Sequence, residues 1–443
     1  MSDLTRRDVL KAGVAATATA AAAGSGLIAA TPALAQTAFK LEPEKGAKLR
    51  VLRWSQFVQG DWDKWTEMTK KFTETTGIEV RVDKESWEDV RPKAAVAANV
   101  GAGPDIIIGT NDDPHKFPDK LVDLTDLATY LGNKYGGWYD SCVQYGTRNK
   151  KWIALPQGTP GACINYRISH VQAAGFDKPP SDFPGFLKMC QALKEKGTPV
   201  GFALGHATGD ANAWTHWLLW GHGGKMVDAK DNVVINSPET IAALEYAKQM
   251  YQTFVPGTLS WLDPSNNKAF LDGQISVTNN GISIYTVAKN STDPALQAIA
   301  KDMDHVNFPI GPVGVPTEYS LMLQAFVFKY SKYPKAAKEY LRYMWEGEQY
   351  MPWQQASNGY VSQPLVAFEK NPIWTADPKN TPFRDATKKM RYNGYAGSLG
   401  YASAAVIGDF INVDMFGQAC TGSKSPKDAA AEAHERASRY YKV

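Results

Sequence analysis

The residues with the most to offer chemically are aromatic rings and planar hydrogen-bonding groups. The chain of 443 residues carries 13 Trp, 20 Tyr and 17 Phe, so that aromatics make up 11% of it. Bond-breaking constellations are thin. No Gly-x-Ser-x-Gly turn occurs, and Gly221-His-Gly-Gly-Lys225 lacks the spacing of a phosphate loop. Asp112 and Asp113 are adjacent, which is poor geometry for two carboxylates that must flank one glycosidic bond. His206, Asp210 and His216 match no common metal spacing. The reading is therefore no catalytic residue, no metal and no cofactor. What remains is chemistry of holding: rings that cover flat apolar faces, and amides and carboxylates that grip polar rims.

Such groups need elements to aim them. Residues 49–54 read as a buried strand, followed by a helix that Asp61 can cap, with Trp62, Trp65, Met68 and Phe72 on its apolar face. Gly77 suits its left-handed end. Ile78, Val80 and Val82 alternate as a second strand, 86–100 reads as helix, and Asp105-Ile-Ile-Ile-Gly109 as a third strand buried on both faces. Strand, helix, strand, helix, strand predicts a doubly wound α/β unit. In such sheets ligands sit beyond the carboxyl ends of strands. That rule selects Trp54 and Gln56, then Asn111 and Asp112, then Asn280 after a strand near 275–278. Each has a plainer alternative: Trp54 can close a core, Asn111 and Asp112 can cap a turn, and Asn280 can supply one.

Further along, Trp214, Trp217 and Trp220 form a helix stripe. The last two read as core, while Trp214 at the helix start can face a cleft. Tyr319 and Tyr360 lie in polar turns, and Arg391 is the candidate for an anionic ligand group, against a surface ion pair. Ser237-Pro238 and Ser425-Pro426 open later helices. Lys plus Arg is 48 against 45 acids, a net charge of only +3, with none of the basic surplus of a nucleic-acid binder. Cys142, Cys163, Cys190 and Cys420 show no CxxC pair, which leaves thiols and disulfides both open.

The first 35 residues read as an address. Arg6-Arg7, an Ala-rich stretch and Ala33-Leu34-Ala35 before Gln36 resemble a twin-arginine export signal cleaved after Ala35. The product expected is a soluble periplasmic protein.

The ordered segments resemble one family. They include Thr76-Gly77-Ile78-Glu79-Val80, Gly101-Ala-Gly-Pro-Asp105, Trp152-Ile-Ala-Leu-Pro156, Ala269-Phe-Leu-Asp-Gly273, Ser276-Val-Thr-Asn-Asn-Gly281 and Ala356-Ser-Asn-Gly-Tyr360. Together they are similar to the family 1 extracellular solute-binding proteins of ABC importers, the group of maltose-binding protein. The resemblance implies an α/β, two-lobed periplasmic-binding-protein fold (type II-like), with a ligand cleft between lobes joined by crossing segments. It puts crossings near 157–161, 270–276 and 329–333, the N-terminal lobe at 40–157 plus 275–328, and the C-terminal lobe at 160–270 plus 333–443. Gln157 and Trp261 become ligand candidates by their nearness to crossings. The function it implies is delivery of a mono- or oligosaccharide to an ABC transporter permease by a monomeric receptor that touches no nucleic acid. The alternatives are a receptor for a polyol, sugar acid, glycerol phosphate or polyamine, or an exported glycosidase or cofactor oxidoreductase.

Overall fold

The structure, a computed structural model, describes residues 39–442; the export-signal reading of 1–35 lies outside them. The predicted α/β start is present. β1 (Lys48–Trp54) lies parallel to β2 (Glu79–Glu85) and to β3 (Ile106–Thr110). Helices Gln59–Thr76 and Trp87–Val100 connect them. All five residues of β3 are buried, as a run of Ile between breakers demands.

Two local details differ from the sequence reading. The first helix begins at Gln59, with Val58 as its cap residue, so Asp61 lies inside it. The Asp61 carboxylate is spent on a buried ion pair with Arg53 (2.8 Å) and on the Trp353 indole N–H (2.5 Å). Trp62 faces outward, with the Lys84 ammonium 4.0 Å from its ring centre, while Trp65, Met68 and Phe72 form the buried face. Gly77 ends the helix at φ 73°, in the left-handed region.

A short hairpin, β4 (Thr147–Arg148) and β5 (Lys151–Trp152), leads into β6 (Leu155–Gly158). The chain then enters a second sheet at β7 (Cys163–Arg167), which pairs antiparallel with β8 (Val277–Asn280) and β9 (Met303–Val306). It returns at β10 (Leu323–Val327), which inserts antiparallel between β3 and β6. The sheet orders are β2-β1-β3-β10-β6 and β8-β7-β9.

Strand pairing differs from the expected lobe boundaries at two places. β8 and β9, expected in the N-terminal lobe, pair with β7 in the second sheet, while Ile282, Ile284, Tyr285 and Ile299 between them pack into the core of the first. Helix Pro334–Trp345, expected in the C-terminal lobe, packs on β10 and on helix Gln59–Thr76 of the first sheet. Helices Ile411–Thr421 and Pro426–Ser438 do pack in the second core, against helices Asp210–Gly221 and Pro238–Tyr251. Strand pairing between segments far apart in sequence decides these boundaries, and it leaves no local signature.

All four cysteines are buried free thiols. No described helix is long and apolar enough to cross a membrane.

Candidate functional site

A narrow, partly open cleft lies between the two sheets, with about 40 Å³ of interior space. One wall is aromatic and follows from the carboxyl ends of β1 and β2. Phe57 comes from the loop after β1. Trp87 is the first residue of the helix after β2, which Ser86 caps by accepting the Asp89 N–H (3.2 Å). Trp87 is backed by Trp54, stacked at 5.0 Å with rings 7° apart. Phe57 lies 6.5 Å from Trp87 and 6.2 Å from Tyr360 between ring centres.

The facing wall is polar. It comes from two helix starts, Asp210–Gly221 and Asp263–Leu271, and from the end of β8. Asn280, Asn267 and Ser283 form a closed ring: Asn280 Nδ2 donates to Asn267 Oδ1, Asn267 Nδ2 to Ser283 Oγ (2.9 Å), and Ser283 Oγ to Asn280 Oδ1 (3.1 Å). The ring fixes each amide's orientation before any ligand arrives. Asp263 Oδ1 accepts the backbone N–H groups of Gly209 (3.1 Å) and Asp210 (2.8 Å). A Cβ at Gly209 would fit tightly, 3.2 Å from that oxygen and 3.0 Å from Leu321 Cδ1. Asp210 Oδ2 accepts from Asn266 Nδ2 (2.9 Å).

Burial is the main reason both carboxyls sit above the usual carboxylate range. For Asp210 the charge of Asp263 adds to it. For Asp263 the Glu88 charge pushes the same way, and the N–H groups of Asp210 and Gly209 pull against it. Among the described residues that line the cleft there is no Lys, Arg or His. No group of three or more metal-ligating side chains occurs among the described residues.

Of the residues selected from sequence, Asn280 and Tyr360 line this cleft, and Trp54 stands directly behind its wall. The others lie elsewhere. Trp214 is wholly buried, donates its indole N–H to the Ala203 carbonyl (2.6 Å) and packs edge-on to Phe254 and Phe416; its helix is covered all round, so the cap end gives it no cleft face. Its neighbour Ala213 reaches the cleft instead. Gln56 pairs with Gln59 and Lys84 at the surface. Trp261 covers Gly201 between the two cores. Arg391 lies with its guanidinium 4.4 Å from the centre of the Tyr395 ring, away from the cleft. Gln157 is buried with neither side-chain polar atom hydrogen-bonded.

Asn111, Asp112 and Tyr319 do come together, in a second buried polar cluster rather than in the cleft. Asn111, at φ 51°, donates to Tyr319 Oη (2.7 Å). Asp112 Oδ2 accepts from Asn393 Nδ2 (3.0 Å) and from Ser403 Oγ. Asp113 is ion-paired with Arg91 at 2.7 Å. Burial outweighs these donors and pushes Asp112 up to about 6.

Sequence reasoning missed Trp87, Asp210 and Asp263 as cleft residues. The carboxyl-end rule, applied to β2 as it was to β1 and β3, points at Trp87.

The profile of the bacterial extracellular solute-binding protein family matches residues 67–382. A probable ABC transporter-binding protein of Deinococcus radiodurans is 25% identical over 217 residues, which is 46% of this chain and 50% of that protein. The diacetylchitobiose binding protein DasA of Streptomyces coelicolor is 23% identical over 292 residues, 64% of this chain and 65% of that protein. The chain thus spans less than two thirds of either curated relative. Among solved structures, a sugar transporter from Arthrobacter chlorophenolicus A6 with bound laminaribiose superposes with a TM-score of 0.77 at 18% identity, over 90% of this chain and 100% of that one. The fold is the two-lobed α/β binding-protein fold.

Proposed function

The chain belongs to the bacterial extracellular solute-binding proteins, and from that premise we propose that it is the carbohydrate receptor of an ABC importer. Membership makes it an exported binding protein. The finer reading is ours: periplasmic, monomeric, and released from a twin-arginine signal after Ala35. One observation carries the ligand class. The cleft sets aromatic faces (Phe57, Trp87, Tyr360) against pre-oriented amides and carboxylates (Asn267, Asn280, Asp210), which is what a ring with apolar faces and a hydroxyl rim asks for. The relatives named for diacetylchitobiose and laminaribiose are consistent with it.

The lobes are carried by the two sheets, with the strands changing sheet at 159–162 and at 307–322 and the chain crossing again beyond residue 383. Because the walls come from different sheets, a ligand that touches both favours the closed arrangement and shifts the population toward it. The closed form then offers its outer surfaces to a membrane permease. No covalent step is needed. Asp210 and Asp263 stand on the same wall, which is not the flanking arrangement of a glycosidase.

Among the alternatives, a sugar acid or glycerol phosphate is the worst fit, because no cationic side chain among the described residues lines the cleft. The test is thermal unfolding against neutral sugars, polyols, sugar acids and phosphates. A ligand at about 100 times its dissociation constant adds roughly 2.7 kcal/mol. Stabilisation by sugars supports the reading; stabilisation by sugar acids or phosphates alone overturns it.

A further inference from the structure

The cleft's charges are all of one sign. Asp210 and Asp263 are the acidic side chains among its described lining residues, and no basic one stands with them. A third acid stands beside them: Glu88 follows Trp87 in the helix, its charge acts on Asp263, and its Oε1 is buried with no hydrogen-bond partner. Asp263 is satisfied by backbone N–H groups. Asp210 has one donor, Asn266 on Oδ2, and remains partly open to the cleft. Elsewhere the fold answers a buried acid with a cation: Asp61 has Arg53 and Asp113 has Arg91. Here no described lining residue does.

A buried carboxylate without a counter-ion is costly, so burial drives both carboxyls toward their protonated forms, and an ammonium that pairs with the ionised form supplies the partner the site lacks. The opposite wall suits the same group. Trp87, Phe57 and Tyr360 turn aromatic surface to the cleft, and such faces attract a cation about as readily as they cover a sugar ring. The Tyr360 ring also feels the charges of Asp210 and Asp263, which places carboxylates and aromatic wall within reach of one small ligand.

We propose that the solute carries a protonated amine, as an amino sugar or amino polyol does, seated between the Trp87 face and the Asp210 carboxylate. This rests on the carbohydrate reading and narrows it. The ring and hydroxyls engage the Asn267–Asn280–Ser283 network while the ammonium supplies the charge that the chain withholds. Anionic sugars are excluded by the same acids.

The experiment is calorimetry and thermal unfolding of the full chain at pH 7 with D-glucosamine, its β-1,4-linked dimer, D-glucose, cellobiose and putrescine. Either amino sugar should bind at least tenfold more tightly than its neutral counterpart. That preference should shrink toward unity in Asp210→Asn. If Asp210→Asn does not fold, Glu88→Gln serves as the second variant, with a smaller loss of preference expected. Equal binding of glucosamine and glucose overturns the amine and leaves the carbohydrate reading standing. Binding of putrescine with no sugar bound overturns the carbohydrate reading itself. No response to any probe overturns the amine.

Discussion

Two groups of buried acids invite comparison. Around Asp112, the chain supplies donors: Asn393 and Ser403 donate to Oδ2, Arg91 pairs with neighbouring Asp113, and Lys116 lies close enough for its charge to be felt, while Oδ1 stays buried without a partner. Around Asp210 and Asp263, the answers are backbone N–H groups and one amide, and the remaining space is a cavity. The first group joins the end of β3 to Asn393 and to Ser403 of helix Tyr401–Gly408, so it ties distant segments together. The second ties two helix starts together, with Asp263 of one accepting backbone N–H groups of the other. On the proposal above, the difference is that the second group borders a cleft and the first does not.

The largest effect is expected where the comparison is broken by force. Arg91→Ala leaves Asp112 and Asp113 buried without their guanidinium, and removal of one partner of a buried pair costs about 3–5 kcal/mol. Urea unfolding measures it. A loss below about 1 kcal/mol would mean that the Asp112 group is no more self-sufficient than the cleft pair.

The opposite result is expected in the cleft. Asp210→Asn relieves repulsion with Asp263, so the free protein should be as stable as before or more so. Affinity for the ligand should fall about tenfold to a hundredfold, the equivalent of roughly 1.4–2.8 kcal/mol. Titration calorimetry and unfolding of the same sample separate the two. A stability loss with unchanged affinity would make Asp210 a structural residue like Asp112.

That division was only half legible in the sequence. Strands β1 and β3 stand out because apolar runs end at breakers, and Gly77 and Ser237 punctuate helices by local rules. Asn280 and Tyr360 were reachable because turn residues after strands and before polar loops point to clefts. Asp112 and Asp210 look alike in sequence, each polar and each next to a structural break. Their difference lies in Asn393 and Ser403, some 280 residues away from Asp112, and in the missing cation near Asp210. The same distance hides the pairing of β8 with β7, and with it the lobe boundaries. Trp214 failed for another reason: its helix is buried on all faces, polar Thr215 and His216 included, so its start gives no outlet.

A milder change sharpens the contrast through matched serines. Ser403→Ala removes one donor from the Asp112 carboxylate and should cost about 1.5–3 kcal/mol, the range for a hydrogen bond to a charged group, with affinity unchanged. Ser283→Ala opens the neutral amide ring of the cleft and should cost about 0.5–1.5 kcal/mol in the free protein while weakening the ligand. Equal effects of both on affinity would erase the distinction between latch and cleft.

The smallest effect is a slope against pH. Asp112 is raised from 3.8 to about 6 in the folded protein, so its protonated form favours folding. That contribution is fully present below pH 3.8 and is lost as the pH rises through about 6. Buried His216, His305 and His115 work the other way. Burial lowers His216 and His115 to about 4 and His305 to about 3, so their stability is lost as the pH falls below 6.5. The raw curve therefore mixes opposing slopes. The difference between the parent and Asp112→Asn isolates one of them, because the histidines are common to both. Relative to the parent, the variant should gain stability steadily between pH 4 and 6 and stay level above that. A flat difference curve would mean that Asn393, Ser403 and Arg91 hold Asp112 ionised throughout, which would make the latch stronger than its burial allows and its contrast with the cleft pair greater still.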